Sequence, residues 1–131
     1  MITKTASRQF VLIGTILAGL AVAAGAFGAH SLRGVLDAPM LAAFETAARY
    51  QMYHALGLCI VGWAIEQYPE GRFTPVGWFF TIGILLFAGS LYSVSLTGVR
   101  WLGVLTPLGG VAFITGWGLF AWEVWRPNNR G

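Results

Sequence analysis

Residues Phe10–Ala29 read FVLIGTILAGLAVAAGAFGA, a run with no charged side chain. A helix needs about 20 apolar residues to cross ~30 Å of hydrocarbon, so this run meets the length of one membrane span. A signal peptide is the competing reading, because Lys4 and Arg8 make a basic start and Ala24-Gly25-Ala26 resembles a cleavage site. The run is too long for it, since the apolar part of a signal peptide is about 7–15 residues.

Two further runs, Val76–Leu96 and Trp101–Trp122, are nearly or wholly uncharged and long enough to span. Tyr50–Ile65 is clean of formal charge but short, and it contains Gln51 and His54. The helical pattern continues backwards from it through Leu41–Arg49. This predicts one long helix from Pro39 to Gln67 that enters the membrane near Arg49. Pro39 fits the first turn, where its missing N–H costs nothing, with Asp37 or Ala38 just before it. The expected spans are therefore 10–30, 49–67, 76–96 and 101–122, with a helical extension over 39–48. The fold class is all-α, a single-domain integral membrane four-helix bundle over 1–131.

Composition agrees. The 131 residues are 56% hydrophobic and 10% charged, against about 25% charged in soluble domains. Disorder needs the opposite composition. The connections carry the breakers: Arg33, Gly34 and Asp37 before Pro39, Pro69-Glu70-Gly71-Arg72 before Pro75, and Thr97-Gly98-Val99-Arg100. Arg126–Gly131 reads as a frayed polar tail. Pro107, inside the last span, is expected to kink it.

Basic residues set the orientation of short-loop membrane proteins. Lys4, Arg8, Arg72, Arg126 and Arg130 fall on the side of the termini, and Arg33, Arg49 and Arg100 on the other. That balance places the termini in the cytoplasm. The net charge of +3 is scattered, which gives nucleic acid no basic patch to bind. Trp78, Trp101, Trp122 and Trp125 stand at span ends like an interfacial belt, and the deeper Trp117 reads as a packing residue.

Helices in lipid associate through close packing and interhelical hydrogen bonds. The first helix carries Gly14/Ala18, Thr15/Gly19, Gly19/Ala23, Gly25/Ala29 and Ala24/Gly28 as small pairs four apart, on more than one face. Two neighbours can approach such a helix. Cys59 is single and mid-span, an inert packing thiol.

Ionisable and polar groups in a membrane are costly and are candidates for function. The predicted ligand-binding set is His30, Tyr50, Gln51, His54, Ser90, Tyr92 and Thr106, gathered on the side away from the termini. Glu45 and Arg49, four apart on one helical face, form a candidate interfacial ion pair. Glu45 and His54 are nine residues apart, about 900° of helix, so they face opposite ways. Each polar group also has a plain structural reading, as a side chain satisfied by a neighbouring helix. The histidines and the cysteine show no metal-ligand spacing, and no nucleophile elbow, phosphate loop or protease pattern occurs. The expectation is a non-enzymatic protein without metal or cofactor. Its partners are the lipid bilayer and a second copy or another membrane protein. The alternative is binding or transport through a pocket around His30 and His54.

Several strings resemble one family. They are Gly25-Ala26-Phe27-Gly28-Ala29-His30, the run Phe44-Glu45-Thr46-Ala47-Ala48-Arg49-Tyr50-Gln51-Met52-Tyr53-His54-Ala55-Leu56, Gly89-Ser90-Leu91-Tyr92, and Leu105-Thr106-Pro107-Leu108-Gly109-Gly110. The chain resembles the domain-of-unknown-function 423 family of small bacterial inner-membrane proteins, with Ala88 standing where that family has serine. The resemblance implies a four-helix membrane protein and carries no catalytic residue or substrate with it.

Overall fold

The computed structural model describes residues 2–127. Its helices are α1 Ile2–His30, α2 Ala38–Gln67, α3 Thr74–Thr97 and α4 Leu105–Trp125, the last preceded by a 3-10 turn over Arg100–Val104. The chain packs in order: α1 lies on α2, α2 on α3, and α3 on α4. Helices α1 and α3, and the segment Arg100–Trp125, are each long and apolar enough to cross a membrane. Helix α2 is equally long, but its polar groups leave it short of that apolarity.

Helix α1 begins eight residues before the expected span because its polar first turns dock on α2. Ser7 is buried, and its single hydroxyl proton has two acceptors in reach on α2, Gly62 O at 2.9 Å and Glu66 Oε1 at 2.8 Å. Helix α2 starts as expected, with Pro39 in the first turn and the Asp37 carboxylate accepting from Met40 N–H at 2.9 Å. Asp37→Ala removes this cap and should cost about 1 kcal/mol, read as a lower detergent-denaturation midpoint with unchanged helicity. Helix α3 closes on Gly98 at φ +73°, a left-handed turn that suits glycine.

The kink expected at Pro107 does not arise. The tight 3-10 turn delays α4 to Leu105, so Pro107 falls within the first helical turn, where no intrahelical N–H is needed. The polar tail also differs from a frayed end at its first residue. Arg126 Nε pairs with Glu123 Oε2 at 2.7 Å and its Nη2 donates to Glu70 O at 2.8 Å. Glu123 in turn accepts from Arg72 N–H at 2.9 Å, tying the end of α4 to the α2–α3 turn. Residues 128–131 of that tail lie outside the described residues.

The interior is made of phenylalanine rings seated on glycines of facing helices. A Cβ added at Gly77 would stand 2.5 Å from the Phe10 ring, and one at Gly83 2.5 Å from Phe113. At Gly116 it would lie 2.6 Å from Phe80, and at Gly28 2.9 Å from Phe44. Phe10, Leu58, Val61, Phe73, Val76 and Phe80 are fully buried in this core. In lipid, where burial of apolar surface drives nothing between helices, such ring-in-notch contacts supply the packing that holds them.

Candidate functional site

His54 stands sixteen residues into α2, about 24 Å from its start. It is a mid-bundle residue, deeper than the entry position its sequence placing suggests. Its ring lies on Phe113 with centroids 3.5 Å apart and planes 6° from parallel, and Phe80 meets it edge-on at 5.3 Å. Both ring nitrogens are engaged: Trp117 Nε1–H donates to Nε2 at 3.0 Å, and Nδ1 lies 2.8 Å from Tyr50 O. An indole nitrogen only donates and a carbonyl only accepts, so Nε2 is the acceptor and Nδ1 carries the proton. The ring is thus the neutral Nδ1–H tautomer with no nitrogen left for a ligand. Trp117 is the partner that sequence reasoning missed. The signal was present, since an indole N–H placed deep in hydrocarbon requires an acceptor.

Gln51, one turn earlier and only 6% exposed, reaches different helices from His54. Its Nε2 donates to Leu17 O of α1 at 2.8 Å, and its Oε1 accepts from the Tyr92 hydroxyl of α3 at 2.8 Å. One side chain therefore joins three helices. Ser90 Oγ donates to Phe87 O at 3.0 Å and takes a hydrogen bond from Thr106 Oγ1, linking α3 to α4. Tyr50 is half-exposed, packs on Phe87 at 4.8 Å and contributes its carbonyl to His54.

The predicted ligand-binding set therefore does not form one pocket. It separates into a His54–Trp117 tie between α2 and α4, a Leu17–Gln51–Tyr92 tie across α1, α2 and α3, and a Ser90–Thr106 tie between α3 and α4. Residues 51 and 54 are three apart, only about 60° around the helix, so it is the placement of the neighbouring helices that sends Gln51 to α1 and α3 and His54 to α4. His30 is exposed at the end of α1 and does not meet His54. Among the described residues, no buried side-chain nitrogen or oxygen lacks a hydrogen-bond partner.

The candidate Glu45–Arg49 ion pair also differs. Both residues border a small hollow with Ala21, Gly25 and Ala48, yet they do not come within ion-pairing distance of each other. Arg49 is exposed at this end of the bundle, and solvated charges gain at most about 1 kcal/mol from pairing. Among the described residues, no three His, Cys, Asp or Glu side chains converge as metal ligands would.

Comparison with known proteins settles the family. The profile described as "Protein of unknown function (DUF423)" matches residues 24–110. The chain belongs to the DUF423 family. The UPF0382 membrane protein YwdK of Bacillus subtilis is 48% identical over 84% of this chain and 90% of its own length. A UPF0382 membrane protein of Staphylococcus saprophyticus is 46% identical over 84% of this chain and 91% of its own. No solved structure matches. This DUF423 member is a helical membrane protein, and the strings that carry its resemblance coincide with its interhelical ties. Gln51, His54, Ser90, Tyr92 and Thr106 all lie in them.

Proposed function

We propose that the protein is a non-enzymatic, four-span component of the bacterial inner membrane that works by packing α1 against a second copy or another membrane helix. One observation carries this reading. Thr15, Gly19, Val22 and Ala26 share the face of α1 turned away from α2, all exposed, and a Cβ at Gly19 meets nothing within 4 Å. Gly14, by contrast, is spent within the bundle, 2.6 Å from Ala55 O at its Cβ position. The open face is a small-residue ridge on which a neighbouring helix can approach closely. The charge-free interior ties oppose an enzymatic reading, because every candidate acid, base or nucleophile in them is already bonded to another helix.

Four spans, with α2 among them, are supported by the exposed side of α2. Tyr53, Leu56, Ile60 and Trp63 recur at helical spacing and are 44–56% exposed. That apolar stripe belongs against lipid, with its buried polar groups screened by α1, α3 and α4. Even-numbered spans put both termini on one side, and the excess of Lys and Arg there supports a cytoplasmic location.

The test is Gly19→Leu in full-length protein. Donor- and acceptor-labelled chains mixed in liposomes should transfer energy in the wild type and lose most of that transfer in the variant, with helicity unchanged. If the wild type shows no transfer, a photo-crosslinker at position 22 should give adducts in cells that one at position 111 does not. Equal adducts at the two positions would defeat the proposal.

A further inference from the structure

Helices α1 and α3 meet at one end, where Phe10 lies over Gly77 and packs edge-to-face with Trp78 at 5.4 Å. Towards His30 they diverge, and a groove of about 520 Å³ opens between them with α2 as its floor. Leu17, Leu20 and Phe27 line one wall, and Leu85, Gly89 and Leu96 the other. From Leu17 to Phe27 it runs about 15 Å along α1. The chain Leu17 O–Gln51–Tyr92 crosses its floor and fixes the separation of the two walls. The groove is therefore built, and its walls belong to helices fit to cross a membrane, so hydrocarbon rather than water fills it.

Charge selects among hydrocarbon occupants. The lining stripe of α1 ends one turn past Phe27 at His30, and that of α3 passes Leu96 to reach Arg100 at the start of the 3-10 turn. Both residues are exposed. The acidic groups of this end are placed elsewhere. Asp37 caps Met40 N–H, and Glu45 borders the hollow with Ala21 and Gly25, on the far side of the α1–α2 seam. A slot for a chain, with the Arg100 guanidinium, the His30 imidazole and no carboxylate at its mouth, is complementary to a phosphate-bearing lipid.

We propose that the α1–α3 groove holds one acyl chain of an anionic phospholipid, with the lipid phosphate at the His30–Arg100 end. This site is on a different face of α1 from Gly19 and does not depend on self-association.

The test uses the full chain in mild detergent, titrated with phosphatidylglycerol or with phosphatidylethanolamine of the same acyl composition, and read by native mass spectrometry. The wild type should retain one phosphatidylglycerol per chain, with about fivefold preference over phosphatidylethanolamine, the value of roughly one basic contact. Gly89→Leu should cut occupancy by both lipids about tenfold. It should fold normally, since a Cβ at Gly89 meets nothing within 4 Å. Arg100→Gln should abolish the preference and leave phosphatidylethanolamine binding unchanged. Equal lipid retention by the wild type and Gly89→Leu would overturn the groove as the site. Absence of a preference in the wild type would overturn the anionic assignment. A lipid-free dimer broken by Gly89→Leu would assign the groove to a second copy and also overturn the proposal.

Discussion

Replacing His54 with alanine is expected to cost about 4 kcal/mol of bundle stability, because the cavity dominates the lost hydrogen bonds. Interhelical hydrogen bonds in membranes average about 0.6 kcal/mol and reach about 1.7. Deleting a large ring from a close-packed core costs about 3–5 kcal/mol. The imidazole is packed between Phe113 and Phe80, 3.5 and 5.3 Å away, so little can collapse into its place. His54→Phe separates the two effects: it keeps the stack, removes the acceptor of Trp117 Nε1–H, and should cost only about 1–2 kcal/mol. Trp117→Phe should cost a similar amount, and combining it with His54→Phe should add less than the two alone, since each breaks the same bond. Denaturant titration of helicity in mixed micelles measures all four. A His54→Ala cost below that of His54→Phe would show that the ring does not fill the core.

Much of this architecture is legible in the sequence because lipid imposes simple rules. Uncharged runs of span length mark α1, α3 and α4, and Asp37-Ala38-Pro39 marks the start of α2 two residues ahead of its first apolar stretch. What the sequence leaves open is direction. Gln51 and His54 look like one polar patch when counted along the chain. They are only about 60° apart around α2, and the positions of the neighbouring helices decide that α1 and α3 take the first and α4 the second. The small residues of α1 hide the same ambiguity. Gly14 and Gly28 face α2, whereas Gly19 faces away, and only the neighbour's position decides which is which. Pro107 shows a third kind of limit. Residues 101–104 belong to the uncharged run in composition, yet with Arg100 they form a 3-10 turn, and that shifts the proline from the interior of α4 to its first turn.

Gly109 and Gly110 bring that limit to a single pair of neighbours with opposite expected outcomes. A Cβ at Gly109 would stand 2.4 Å from the backbone nitrogen of Phe87, so α3 and α4 are in near backbone contact there. A Cβ at Gly110 would meet nothing nearer than Phe87 Cδ2 at 4.0 Å. Gly109→Leu cannot be relieved by a rotamer change, because the obstacle is main chain. It must push α4 off α3, which pulls Thr106 from Ser90 and loosens the seat of Phe113 on Gly83. Overpacking of a core typically costs about 1–3 kcal/mol, and a backbone obstacle puts this substitution at or above about 3. Gly110→Leu should change stability by less than about 0.5 kcal/mol, as substitutions away from packed contacts do. The same micelle titration compares the pair. Equal effects at the two positions would mean that α3 and α4 do not pack through Gly109, and the ring-in-notch account of the core would fail with it.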